Sequence, residues 1–129
     1  MSESVVIPSD RDVRGSLDNP DSDACVVACP PHPQMGGSRS DRRLRAVSDA
    51  VDCACLRFDY GAWDEGPGEL ADTRDAYAWA RERYESVGLF GYSFGGCLAV
   101  VAAARESEAK RPPFAVAALA PADRITDDI

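Results

Sequence analysis

The chain is almost without lysine and histidine. Lys110 is the only lysine and His32 the only histidine among 129 residues, so arginine supplies the rest of the positive charge. Acidic residues outnumber basic ones by 22 to 14, for a formal net charge of −8. That balance argues against nucleic acid as a partner, because phosphate backbones are neutralised by lysine and arginine. An acidic, strongly hydrated surface stripped of lysine fits a salt-rich, halophilic cytoplasm, where repulsion between like charges is screened. A mildly acidic protein from a GC-rich genome is the competing reading of the same composition. No apolar run approaches the roughly 20 residues that cross a bilayer, and no basic-then-apolar signal segment opens the chain. These absences predict a cytoplasmic protein with no membrane partner.

Five cysteines are present, Cys25, Cys29, Cys53, Cys55 and Cys97, an odd number that argues against a disulfide framework. Cys25 and Cys29 share parity on one predicted strand, and Cys53 and Cys55 on another, so each pair projects to one face. One reading is a metal site built between neighbouring strands. The other is free cysteine packed as a small hydrophobe. A single histidine and the lack of any C-x-x-C spacing favour the second, and neither metal nor cofactor is expected. No G-x-G-x-x-G or Walker pattern follows a strand, which leaves a nucleotide-binding module without support.

What is present is a regular alternation of strands and helices. Val5–Ile7 and 12–17 predict an N-terminal hairpin joined through Pro8-Ser9-Asp10-Arg11. After the turn cluster at Asn19–Asp23, the run 24–29 is apolar throughout, the pattern of a strand buried on both faces of a parallel sheet. The loop 30–38 leads to a helix over 40–51, with Leu44, Val47 and Val51 on one face. A second buried strand, 53–58, precedes a helix over 69–85 whose stripe is Leu70, Thr73, Tyr77, Ala80 and Tyr84. A strand at 87–90, a small-residue helix at 95–104 and a strand at 114–120 complete the pattern. The expectation is one α/β domain spanning 1–129, with a doubly wound, mostly parallel sheet. Reactive groups in such sheets gather at the carboxyl ends of the strands, here the loops at His32 and Asp59 and the turn at Ser93.

That turn reads Gly91-Tyr92-Ser93-Phe94-Gly95, a G-x-S-x-G pattern with a strand before it and a helix after it. A serine at such a turn is held in a strained conformation with its hydroxyl exposed at the end of the sheet. The flanking glycines avoid collisions where strand and helix approach. Ser93 is the candidate nucleophile.

Taken together, the motifs resemble the α/β-hydrolase superfamily, and more closely the small dienelactone-hydrolase-like members whose oxyanion loop reads His-Pro-His-Pro-x-x-Gly-Gly. Here that loop is Pro30-Pro31-His32-Pro33-Gln34-Met35-Gly36-Gly37, followed in order by "LRFDYGAWDEGPGE", "GLFGYSFGG" and "VAALAPADR". The resemblance implies that Ser93 is activated by a histidine that an acidic residue orients. It also implies an oxyanion hole from the Phe94 N–H and one N–H of the loop around His32. The implied substrate is a small acyl compound (an ester, thioester or lactone) in contact with Gln34, Met35 and Tyr92. Tyr60, Trp63 and Met35 would line an apolar acyl pocket, or simply pack in the core.

Two departures bear on function. Pro30 replaces the first loop histidine and brings neither a side-chain hydrogen bond nor an N–H. No histidine follows Ser93, whereas the family order is serine, acid, histidine. Asp123, Asp127 and Asp128 lie too early to match the family's acid. His32 therefore carries two readings, a replacement base or a residue of the oxyanion loop. The family continues past this point with two further strands, so the last strand here is expected to be an exposed edge. The chain is accordingly expected to be a fragment, the product of an interrupted gene, or a subunit completed by another chain or a second copy. A non-catalytic remnant that binds a partner is the alternative to a hydrolase.

Overall fold

A computed structural model describes residues 2–123. Its six strands, β1 (Ser2–Ile7), β2 (Val13–Asp18), β3 (Ala24–Cys29), β4 (Ala54–Asp59), β5 (Ser86–Tyr92) and β6 (Val116–Leu119), form one sheet in the order β1-β2-β4-β3-β5-β6. The hairpin β1–β2 and its junction with β4 are antiparallel, and β4, β3, β5 and β6 run parallel. Helices α1 (Arg42–Ala50), α2 (Pro67–Arg81) and α3 (Phe94–Glu108) connect the parallel strands. This is a doubly wound, mostly parallel α/β sheet with an antiparallel hairpin along one edge.

The apolar run of β3 is split between two cores, as its period of two requires. Cys25, Val27 and Cys29 face the main core with Leu56, Phe58, Tyr77, Leu89 and Leu98, under α2 and α3. Ala28 faces a smaller core under α1, with Leu44 and Cys55. The two cysteine pairs therefore do not converge. Cys25 and Cys29 point to one side of the sheet and Cys55 to the other, and among the described residues no cluster suited to a metal forms. Burial raises the Cys25 and Cys29 thiols and pushes Cys55 up to about 12, so these thiols stay protonated and pack as hydrophobes. Among the same residues no helix is long and apolar enough to cross a membrane.

Several boundaries move for local reasons. Helix α1 starts at Arg42 because Asp41 caps it, accepting from the N–H groups of Arg43 and Leu44 at 2.9 and 3.4 Å. Helix α2 starts earlier than its apolar stripe, at Pro67, and ends at Arg81. Tyr84 thus lies beyond the helix, yet is still buried, with its hydroxyl donating to the Pro20 carbonyl at 3.0 Å. The run 114–120 is strand only over Val116–Leu119, although the Phe114 N–H still donates to Val87.

Glu69 and Asp72, absent from the expected stripe, are fully buried. Arg11, in the hairpin turn, pairs with both at 3.3 and 2.8 Å. Glu69 stands at the third position of α2 and accepts from the N–H groups of Asp64 and Gly66, at 2.8 and 2.7 Å. Asp72 accepts from the Gly61 N–H at 2.9 Å, and Arg11 donates to the Ala62 carbonyl at 2.5 Å. The loop after β4 is thereby folded around a saturated buried ion cluster.

Candidate active site

Strand β5 ends at Tyr92 and α3 begins at Phe94, so Ser93 alone makes the turn, with φ 56° and ψ −117°. A non-glycine residue with positive φ is costly and persists only where its surroundings over-determine it. Those surroundings are visible. The Ser93 N–H donates to the Leu119 carbonyl at 3.0 Å, and the Ser93 carbonyl accepts from the N–H groups of Cys97 and Ala122 at 3.2 and 2.9 Å. A Cβ at Gly91 would run into the Gly95 carbonyl, and one at Gly95 into the carbonyls of Cys29 and Pro30. The second glycine thus lets the start of α3 press against the end of β3.

That contact brings the His32 loop to the serine's helix. His32 caps a single 3₁₀ turn over Pro33–Met35, its Nδ1 accepting from the Gln34 N–H at 3.1 Å. A neutral ring so engaged carries its proton on Nε2. The ring rests on Trp63 and on Phe94, with centroids 4.3 and 4.9 Å away. Tyr60 completes the aromatic group, edge-on to Phe94 at 5.9 Å, and its buried hydroxyl donates to the Pro30 carbonyl at 2.7 Å. Burial raises the Tyr60 hydroxyl well above its ordinary range, so it stays protonated and keeps this donation.

The loop's backbone donors are nearly all spent internally. The N–H of Gln34 goes to His32 Nδ1, those of Met35 and Gly37 to the His32 carbonyl, and that of Gly36 to Pro33. Pro30, Pro31 and Pro33 have none. The N–H groups of His32 and Ser38 are the loop donors without an acceptor among the described residues. The Phe94 N–H, first in α3, is one that helical geometry leaves without an intrahelical partner.

Of the remaining sequence candidates, Gln34 and Met35 are exposed, Met35 at 84%. Tyr92 faces the α1 side, where the Arg43 guanidinium lies over its ring at 3.9 Å. Trp63 joins the aromatic group at His32 and Phe94. Asp59, at the end of β4, is tied to Arg39, whose N–H donates at 2.7 Å. Asp123 lies near Cys97, whose thiol is raised by burial and by that carboxylate. Asp127 and Asp128 fall outside the described residues.

Sequence reasoning missed Arg11, Glu69 and Asp72, which fix the Trp63 loop. The signal was partly there, since Pro67 followed by Glu69 marks a helix start. It also missed the grip of residues 119–122 on the elbow backbone, which left no side-chain pattern.

No family model matches the sequence, and no curated protein does. The fold does have relatives among solved structures. A protein of unknown function from Agrobacterium tumefaciens, assigned to the α/β hydrolases, superposes with a TM-score of 0.77 at 23% identity over 92% of this chain and 60% of its own. Dienelactone hydrolase from Anabaena variabilis gives 0.73 at 22%, over 92% of this chain and 62% of that one. The thermostable carboxylesterase EstE1, cloned from a metagenomic library, gives 0.76 at 19%, over 94% and 47%. The chain spans roughly half to three-fifths of the length of these proteins, and identities this low establish the fold alone.

Proposed function

We propose that this chain supplies the nucleophile half of a serine hydrolase, acting on an ester, thioester or lactone through an acyl-enzyme on Ser93. The observation that carries the reading is the Ser93 backbone, a strained non-glycine turn fixed by three hydrogen bonds between a parallel strand and a helix. Solved structures of similar fold that are named as hydrolases and esterases support it. Ser93 Oγ attacks the acyl carbon while a base takes its proton, and the carbonyl oxygen becomes an oxyanion. The N–H groups of Phe94 and of the His32 loop would bind that charge, and losing one such donor typically costs about 2.7–4 kcal/mol of barrier. Collapse expels the alcohol or thiol, which takes the proton from the base, and water then releases the acid from Ser93.

His32 serves here as a residue of the oxyanion loop. With Nδ1 accepting from Gln34, its neutral ring presents a proton at Nε2 rather than the lone pair a base needs. Base and acid then come from outside residues 1–129, supplied by further sequence or by another chain. The aromatic group of His32, Trp63, Phe94 and Tyr60 would form the apolar wall of the acyl site, with Gln34 and Met35 beside it, while Tyr92, under Arg43 on the α1 side, would stand apart from it. The composition supports work in a salty cytoplasm. The second reading, a non-catalytic partner-binding chain, is favoured by one observation, that its single histidine is already engaged.

Intact-mass detection of fluorophosphonate labelling in molar KCl, with Ser93→Ala as control, tests the proposal. Labelling lost in Ser93→Ala would establish an activated serine. A folded protein that does not label by itself, and does not label when a histidine-bearing complementing chain is bound, would leave only the binding reading.

A further inference from the structure

The loop from β4 to α2 is gripped along its backbone on both sides of Trp63. Asp72 accepts from the Gly61 N–H at 2.9 Å, and the Ala62 carbonyl accepts from Arg11 at 2.5 Å. Glu69 accepts from the N–H groups of Asp64 and Gly66 at 2.8 and 2.7 Å. Both chain neighbours of Trp63 are therefore tied to the buried ion cluster. Glu65 has φ 60°, a strained value for a non-glycine residue, and it persists because Asp64 and Gly66 are fixed on either side. A Cβ at Gly68 would come within 2.6 Å of Asp64 and 2.8 Å of Arg11, so the loop lies tight against the start of α2. Trp63, half-buried, is thus fixed through its backbone with its ring centroid 4.3 Å from that of His32.

His32 needs such a support. Its bond to the Gln34 N–H lies at the surface, where water competes for both partners and a hydrogen bond adds little. Half a turn of the imidazole about χ2 would set Cδ2–H against Gln34 in place of Nδ1 and leave that amide to water. The hydrogen bond alone is therefore too weak to hold the ring. Aromatic contacts at this spacing add attraction beyond simple burial, and the ring makes two, with Trp63 and Phe94. Phe94 belongs to the elbow helix, whereas Trp63 is brought in from a separate segment. We propose that Trp63 is a positioning residue of the oxyanion loop, holding the His32 ring with Nδ1 toward Gln34 and so keeping the turn over Pro33–Met35 closed. The His32 carbonyl, which accepts from Met35 and Gly37 at 3.0 Å each, is then held in the same turn. Beyond walling the acyl site, Trp63 thereby acts on the loop's donors through His32. The consequence for catalysis rests on the hydrolase reading, and the positioning contact does not.

The test is nuclear magnetic resonance of the full chain, following the Gln34 amide while the single imidazole is titrated. Protonation turns Nδ1 from acceptor to donor, so in the parent the Gln34 amide proton should shift strongly as the ring titrates. Trp63→Leu should roughly halve that shift and speed Gln34 amide exchange roughly tenfold, without changing exchange in β3. Trp63→Phe keeps an aromatic contact and should restore most of both. Ser93→Ala should match the parent, which separates this inference from the hydrolase proposal. A parent whose Gln34 amide ignores the imidazole overturns the proposal, and so does a Trp63→Leu variant with the parent's shift and exchange. Failure of Trp63→Phe to rescue, or faster exchange spread evenly over the sheet, would also overturn it, leaving Trp63 a general packing residue.

Discussion

The two ends of the sheet are built to opposite rules. Strand β1 is an edge designed as one. It is exposed along most of its length, carries Ser2, Glu3 and Ser4, and turns only Ile7 fully into the core. Strand β6 is also an edge, but its Val-Ala-Ala-Leu sequence is that of a central strand, and every one of its residues is exposed. Edges are normally blunted by charge, proline or a bulge, and β6 has none of these within its length. Its neighbour β5, equally apolar and also parallel, is paired on both sides and alternates between buried and half-buried positions. The same chemistry is thus core in one strand and surface in the next. A strand's composition reports the neighbours it is suited to, and β6 is suited to more than it has.

The closed side owes its integrity to polar clamps as much as to apolar packing, and breaking one should have the largest effect. Arg11→Met leaves Glu69 and Asp72 buried and unpaired. It should destabilise by about 3–5 kcal/mol, read from the urea midpoint at constant slope. Gly95→Ala probes the junction of the closed side with the elbow. Its methyl group would strike the Cys29 and Pro30 carbonyls, and a loss of about 1–3 kcal/mol is expected despite the gain in helix propensity. Tyr60→Phe removes the hydrogen bond to Pro30 while keeping the ring. It should cost about 1 kcal/mol and loosen the His32 loop, measurable as faster amide exchange at residues 32–37.

A pH titration sharpens the same contrast. Burial by itself would raise the Asp18 carboxyl, but hydrogen bonds from Arg57 and Ser48 outweigh it and bring it to about 2. Because the folded value lies below the unfolded one, this stabilisation is complete above the ordinary carboxylate range and is lost as pH falls toward 2. Asp18→Asn should therefore flatten the decline in stability between about pH 4 and pH 2. The smallest effect on stability is expected at the open end. Leu119→Lys should leave the urea midpoint within about 0.5 kcal/mol, because the residue has little to lose. It should also reduce concentration-dependent aggregation seen by light scattering.

Most of the scaffold was legible because the strands are apolar, short and separated by helices of clear period. Ser93 was legible because so tight a passage from strand to helix requires glycine on either side of the turning residue, and that spacing is written in the chain. The Trp63 loop was not, since Arg11 and Asp72 lie 61 positions apart and only folding shows that they meet. The burial of Glu69 and Asp72 ran against polarity, and only their mutual saturation with Arg11 makes it tolerable. His32 was visible as a residue but not as a cap, because the direction of its Nδ1 depends on the turn that Pro33 opens.

The sequence by itself determined an α/β sheet, a serine at the carboxyl end of one strand, a loop beside it and an acidic surface, since each rests on local periodicity or residue type. Only the tertiary structure decided which cysteines face which core, and that the His32 loop spends most of its backbone donors on itself. It alone revealed the apolar groove that the described residues leave open between α1 and β6. Those properties depend on what lies across the sheet from a residue, and a linear chain does not encode distance until it has folded.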